Sequence, residues 1–319
     1  MTSEPMTGTT RDLETPPERL GISRIVVGVD GSPGAFSALV WALTAAARSG
    51  AALEVVSAFP TDDSWHHPLQ GTQHVDTLRS DTESRAQAFI ADAVKVPEAT
   101  VVPGTAEVPV QVTVAAGAPA HELVRRAEGA RMLVVGSRGR GGVRSTLLGS
   151  VALHCAANAP CPVVVVHPAR PAPEPRVVVG LDETDVSHAA LTSAVEEAGR
   201  LSAVVEAVVV ASPFTYWSDA VAIPQIDDQV QNAQRRGEHM VERVLGDRHD
   251  VRIEVVGDVG SPGDVLVRQA EGASLLVVGS RSHSQLTGML LGSVALHSTV
   301  HAPCPVMVVH PEPDRAAAE

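Results

Sequence analysis

The chain has 319 residues, enough for two domains of about 150 residues each. Its formal net charge of −13 opposes long-range attraction to nucleic acid, so no nucleic-acid partner is expected. Aromatics make up only 3% of the chain, so the core must be aliphatic, and the apolar runs are strand-length, so no membrane span is expected.

Residues 1–21 are polar and proline-bearing and read as a disordered tail without an apolar leader. A first domain is expected over 22–168. It opens with a buried-strand pattern at 24–30 that ends in Asp30, and a turn follows at Gly31–Gly34. An Ala-rich helix is expected at 35–48 and a second strand at 52–58. The next loop carries His66 and His67, with His74 just beyond, and reads as solvated, since nothing makes these histidines converge on a metal. A helix over about 74–94 turns Val75, Leu78, Ala86, Phe89 and Ile90 inward. Strands at 108–115 and 131–136 flank a helix at 119–128, a short helix occupies 150–157, and a fifth strand spans 162–167. Strands alternating with helices imply parallel crossovers and a doubly wound α/β sheet.

Residues 169–175 form a proline-rich linker, after which the pattern restarts as a second domain over 176–311, followed by a tail at 312–319. Strands recur at 176–182, 203–210, 251–257, 274–279 and 305–310, with helices at about 224–245 and 262–271. Residues 129–168 align with 272–311 at 25 of 40 positions. Eight consecutive mismatches set Gly139–Thr146 against Ser282–Met289, whereas the flanks of this segment are identical. The frame of a loop is therefore duplicated while its middle is not.

That loop follows the fourth strand. Gly136, Gly139 and Gly149-Ser150 are spaced Gly-x2-Gly-x9-Gly-Ser, with Ser137, Arg138, Arg140, Gly141 and Gly142 between them and Val151 after. Glycines uncover backbone N–H groups, arginines add positive charge, and a helix start offers its dipole, which together make a candidate phosphate cradle. Ser150 is the expected N-cap of the helix that follows. The loop is neither a P-loop nor the dinucleotide fingerprint, because it lacks Gly-Lys-Ser/Thr and follows the fourth strand instead of the first. In a doubly wound sheet Asp30 and this loop both sit at strand carboxyl ends, where one crevice can hold them.

Three cysteines, Cys155, Cys161 and Cys304, form neither a disulfide framework nor a zinc pattern, which fits a reducing cytoplasm. Cys161 and Cys304 each sit in Ala-Pro-Cys-Pro-Val and read as small buried hydrophobes. His154 and His297 recur at one helix position and suggest packing or an interface.

Val-Gly-Val-Asp30-Gly-Ser, Gly117-Ala-Pro119, Val-Val-Gly136-Ser-Arg-Gly139 through Gly149-Ser150, and Pro160-Cys-Pro-Val-Val-Val-Val together make the chain resemble the universal stress proteins in a tandem, two-domain form. The resemblance implies two doubly wound domains, each a five-stranded parallel sheet in 3-2-1-4-5 order with helices on both faces. It implies ATP as ligand, with or without Mg. The loop glycines and Ser150 would meet phosphates and ribose, Gly28 and Asp30 would lie near the nucleoside, and Ala58 near the adenine edge. It also implies pairing through fifth strands, within the chain or in a homodimer, and a regulatory protein partner.

The second half keeps Gly180, Asp182, Gly279, Ser280, Arg281, Gly292, Ser293 and Val294 as candidate ligand contacts. There, however, Ser282 replaces the second loop glycine and Glu183 follows the first-strand acid. Because serine tolerates positive φ less well than glycine, this second site is expected to be the weaker one. No catalytic base or nucleophile pairs with Asp30, Ser32 or Ser37 in the pattern. The leading expectation is an ATP-binding regulator of stress response. The alternatives are a slow ATPase or phosphoryl-transfer enzyme and a nucleotide-free interaction module.

Overall fold

A computed structural model describes residues 23–59, 71–139, 148–167, 174–211, 225–246, 250–281 and 291–311. The first half contains β1 (Arg24–Gly28), α1 (Pro33–Ser49), β2 (Ala52–Phe59), α2 (Gly71–Ala93), α3 (Pro97–Thr100), a 3-10 turn (Thr105–Glu107), β3 (Val110–Ala116), α4 (Pro119–Arg126), β4 (Met132–Gly136), α5 (Ser150–Asn158) and β5 (Val163–Val166). The second contains β6 (Arg176–Leu181), α6 (Asp185–Leu201), β7 (Val204–Ala211), α7 (Ile226–Leu245), β8 (Ile253–Val259), α8 (Pro262–Gln269), β9 (Leu275–Gly279), α9 (Ser293–His301) and β10 (Val306–Val309). The histidine loop, both tails and most of the linker lie outside the described residues.

The strand order is β3-β2-β1-β4-β5-β10-β9-β6-β7-β8. Each half is parallel and has the expected 3-2-1-4-5 order. The halves meet where β5 and β10 pair antiparallel, with Val165 opposite Val306 and Val163 opposite Val308. The result is one continuous ten-stranded sheet. Valine runs in β4, β5, β9 and β10 are buried on both faces, as strands covered by helices must be. Two apolar clusters form, one on each face. Leu39, Leu43, Leu191 and Met307 belong to one, and Leu123, Cys155, Leu266 and Cys304 to the other. Both continue across the seam without a break. The cysteines behave as hydrophobes: burial pushes each thiol up to about 12.

Several boundaries differ from the sequence reading. α1 begins at Pro33 because Ser32 caps it, its Oγ accepting the Ala35 N–H at 3.1 Å, with Pro at the first helical position. The chain between α2 and β3 forms α3 and the 3-10 turn, neither of which the sequence pattern announced. α6 fills the interval between the second half's first two strands. On α2, Ala86 is buried and Phe89 and Ile90 pack on the core, but Leu78 is 36% exposed and does not turn inward.

Charge also fixes the fold. Glu54 on β2 is buried and accepts from Arg24 at 2.5 Å, Arg126 at 2.9 Å and Thr113 at 2.9 Å. It thereby ties β1, β3 and the end of α4 to one carboxylate. At the seam, His310 Nε2 lies 3.0 Å from Ala156 O on α5, and His167 hydrogen-bonds the backbone at Thr299 on α9. Burial is the main cause that holds both imidazoles below 6.5, with the nearby Arg138 and Arg281 adding to it.

Two outcomes follow. Glu54→Ala strands two partly buried guanidinium groups and should lower the unfolding free energy by about 3 kcal/mol in urea titration. Both seam histidines take up protons less readily when folded than when unfolded, since burial disfavours their charged form. Their contribution is therefore complete above pH 6.5 and is lost as pH falls below it. His310→Gln should flatten that acid limb in denaturation curves taken across this range.

Candidate functional site

In each half the strand order reverses between its first and fourth strands. The crossover helices leave to opposite faces there, so a crevice opens beyond the strand ends. In the first half β1 exits as Val29-Asp30 and β4 as Ser137-Arg138-Gly139, with the start of α1 between them. A cavity of about 540 Å³ lies at this place. Its floor and walls are apolar: Val29, Val56, Leu123, Val135 and Leu153 line it.

Of the first-half residues expected from sequence, Gly28, Asp30, Ala58, Gly136, Arg138, Gly139, Gly149, Ser150 and Val151 all line this cavity. Ser137 belongs to the frame instead. It is buried, its N–H donates to Val166 O at 3.0 Å, and its carbonyl accepts the Gly149 N–H at 2.8 Å. Those two bonds fasten the loop ends to β5 and to the start of α5. Arg140, Gly141 and Gly142 lie outside the described residues.

The glycines mark close approaches. A Cβ on Gly136 would lie 2.5 Å from the carbonyl carbon and oxygen of Gly34. A Cβ on Gly34 would in turn run into Arg138 O. The chain leaving β4 thus rests on the first turn of α1, backbone on backbone. Ser32 Oγ, besides capping α1, donates to Arg138 O at 3.4 Å. A Cβ on Gly139 would sit 2.7 Å from Asp30 Oδ2, while Asp30 Oδ1 accepts the Ser32 N–H at 2.9 Å. On the opposite wall Gly28 admits Leu123, whose Cδ1 would be 2.8 Å from a Cβ there.

Two expectations need correction. Ser150 is not the N-cap of α5: that position is Gly149, extended at φ −76 and ψ 149, and no side chain caps the helix. Ser150 is the first helical residue, and it is exposed on the cavity wall. Nor is Gly139 required for a positive φ, since it is not among the glycines that adopt one. It is required for space beside Asp30. Gly34 and Leu123 were missed. The mismatch of Gly34 with Val186 in the two aligned first helices was a legible mark of the former.

The second half repeats the frame. Gly180 admits Leu266 as Gly28 admits Leu123, and Asp182 Oδ1 accepts the Thr184 N–H at 3.0 Å. Ser280 N–H donates to Val309 O, and Gly292 N–H to Ser280 O, both at 2.7 Å. Gly292, not Ser293, caps α9, and Val294 packs on the core. The joint differs, however. Gly279 faces the Val186 side chain, 3.0 Å from a Cβ, in place of a bare backbone. Arg281 is exposed at the end of the described strand exit, and the loop from Ser282 lies outside the described residues.

Two stretches of the chain, residues 21–167 and 175–310, match the family model described as the universal stress protein family. The chain belongs to that family. Universal stress protein Rv2005c of Mycobacterium tuberculosis (strain ATCC 25618 / H37Rv) is 34% identical over 288 residues, covering 87% of this chain and 93% of the relative. A universal stress protein of Mycolicibacterium smegmatis (strain ATCC 700084 / mc(2)155) is 32% identical over 295 residues, 90% of this chain and 97% of its own. The crystal structure of a universal stress protein from Archaeoglobus fulgidus DSM 4304 has a TM-score of 0.63 at 19% identity, covering 90% and 98% of the two chains, a likeness of fold.

Within this universal stress protein, the charged side chains among the described residues that line the cavity are Asp30 and Arg138. Among the described residues no three His, Cys, Asp or Glu converge as a metal site. No described helix is long and apolar enough to cross a membrane. The His154 ring lies tilted against that of His121, with ring centres 5.0 Å apart, and His297 lies 3.0 Å from Asp264.

Gly136→Ala should cost about 1–3 kcal/mol in urea unfolding, because the backbone it strikes cannot swing aside. Gly149→Ala, with its nearest neighbour 3.5 Å away, should change stability by under about 1 kcal/mol.

Proposed function

We propose that the first-half cavity binds ATP and that the protein is a nucleotide-dependent regulator in stress response, working in the cytoplasm. The observation that carries this reading is the glycine cradle at the strand exit. Gly136 and Gly139 bring bare backbone to the cavity edge, Arg138 adds a cation, and α5 starts there with its N–H groups at Ser150 and Val151. Backbone donors, a helix dipole and an arginine suit a polyphosphate. The apolar walls at Val29, Val56 and Leu123, with Ala58 at the strand end, suit a planar base. Asp30 faces the cradle and fits a ribose hydroxyl or a Mg²⁺ carried in with the triphosphate, which would neutralise phosphate charge.

Regulation suits this site because its parts lead to the seam. α5 lines the cavity with Ser150–Leu153, and its Ala156 carbonyl lies within hydrogen-bonding distance of His310 of the second half. Occupancy at one end of α5 therefore bears on the contact at the other. The second half is the weaker site in this reading, since Val186 stands where Gly34 lets the loop close down.

Calorimetric titration of the full chain with ATP tests the proposal. Uptake at the first site is expected, and Gly139→Val and Asp30→Ala should each weaken it at least tenfold, about 1.4 kcal/mol. Gly34→Val, which imports the second half's residue, should do the same. No heat and no uptake with folded wild-type protein would refute the reading.

A further inference from the structure

The seam between β5 and β10 is built from nearly equivalent strands, Val-Val-Val-Val against Val-Met-Val-Val. Main-chain pairing alone does not distinguish a first half meeting a second half from two like halves meeting. The flanking helix face does distinguish them. Arg131, in the turn before β4, reaches across to α6, where its Nη2 lies 2.8 Å from Glu197 Oε1 and 3.5 Å from Glu196 Oε2. Arg200 Nη1 is 3.0 Å from the same Glu197, and Arg48, at the end of α1, feels its charge. The Glu197 side chain is 8% exposed and that of Arg131 20%. Glu197 and Arg131 form the nearly buried centre of a cluster with Glu196 and Arg48 exposed at its edge, in which the first half supplies two cations and the second supplies both anions and one cation.

The cluster has no counterpart on the other side of the pseudo-twofold. α1 and α6 are both 17 residues long, and Thr44 and Ala45 occupy the positions of Glu196 and Glu197. Ser274 occupies that of Arg131. Pairing two first halves would set two copies of Arg131 and Arg48 against α1 faces that offer no carboxylate at those positions. Pairing two second halves would set each Glu197 opposite Ser274, so that it keeps Arg200 and gains the other half's Arg200, which occupies the position of Arg48, but loses Arg131. Only a first half against a second half matches Arg131 with Glu197. A first-half pair leaves Arg131 without a carboxylate and a second-half pair leaves Glu197 without its 2.8 Å contact to Arg131, so a one-sided ion pair discriminates by what each wrong partner lacks.

We propose that the Arg131–Glu197 pair is a recognition key that makes this seam accept a first half against a second half and reject like against like. The partner surface is thereby defined as the α6 face of a second half, whether of the same chain or of another copy. Closure within one chain is the ordinary result. Reciprocal exchange between two copies is the only intermolecular pairing that keeps both keys satisfied.

Two measurements on the full chain test this. Hydrogen exchange read by mass spectrometry on peptides spanning β5 and β10 should accelerate at least tenfold in Arg131→Glu. It should return to within threefold of wild type in Arg131→Glu/Glu197→Arg. A structural role for Arg131 unrelated to the pair would not be rescued by the second substitution. Wild-type exchange in the single variant, or no recovery in the swap, overturns the proposal. In the second test, Arg131→Glu and Glu197→Arg chains are unfolded in urea, mixed and refolded together. Each chain alone opposes like charges, whereas exchange restores one Glu–Arg and one Arg–Glu pair. Native mass spectrometry should show a 1:1 heterodimer at least tenfold over either homodimer. Statistical mixing, or monomers alone, overturns the selectivity.

Discussion

A contact between two backbones, at Gly34 and Gly136, decides where the chain goes as it leaves β4. No side chain fits at either position, so the strand exit lies directly on the first turn of α1. That brings Arg138 over the helix start, within reach of Ser32, and sets Gly139 against Asp30. The crevice of a doubly wound sheet is a product of topology, but its depth and lining at this edge follow from that one approach. Close packing leaves no slack for a methyl group at the joint. The second half makes the point by contrast: with Val186 in place of Gly34, the same sheet and the same loop frame meet through a side chain.

The two halves thus share a scaffold and differ in what they carry. Strand order, the Gly28–Leu123 and Gly180–Leu266 contacts, and the paired loop-closing bonds at Ser137 and Ser280 recur. The charge network recurs only in part. Glu54 holds two arginines, whereas Glu206 holds Arg176 and Gln269 turns to Asp258 instead. Departures from symmetry also occur at the cavity and at the seam, where a copy can acquire a separate task while the strand order remains unchanged.

The architecture was legible in the sequence because buried parallel strands are written as valine runs. The duplication then checked each assignment against a second copy. Nine of the residues singled out in the first half line the cavity, because strand ends and the loop after the fourth strand stand at the carboxyl edge of a doubly wound sheet. What was misread concerns why each residue is there. Gly139 looked like a φ requirement, but the constraint is the carboxylate beside it, a partner more than 100 positions away in sequence. Ser150 looked like a cap because serine favours that place, yet Gly149 takes the extended position and Ser150 is the first helical residue on the cavity wall. Leu123 and Val56 escaped notice because an apolar wall residue has the same sequence signature as a core residue. The seam's ion pair escaped for a related reason: Arg131 and Glu197 are 66 positions apart, and each alone reads as surface charge.

The central claim is that the first cavity holds a nucleotide and the second half does not hold one equally well. Mass spectrometry of small molecules released from denatured, purified protein addresses it most directly, with stoichiometry counted per chain. The account predicts one adenine nucleotide per chain, lost in Gly34→Val. Two equivalents per chain, or one equivalent undiminished by Gly34→Val, would contradict it.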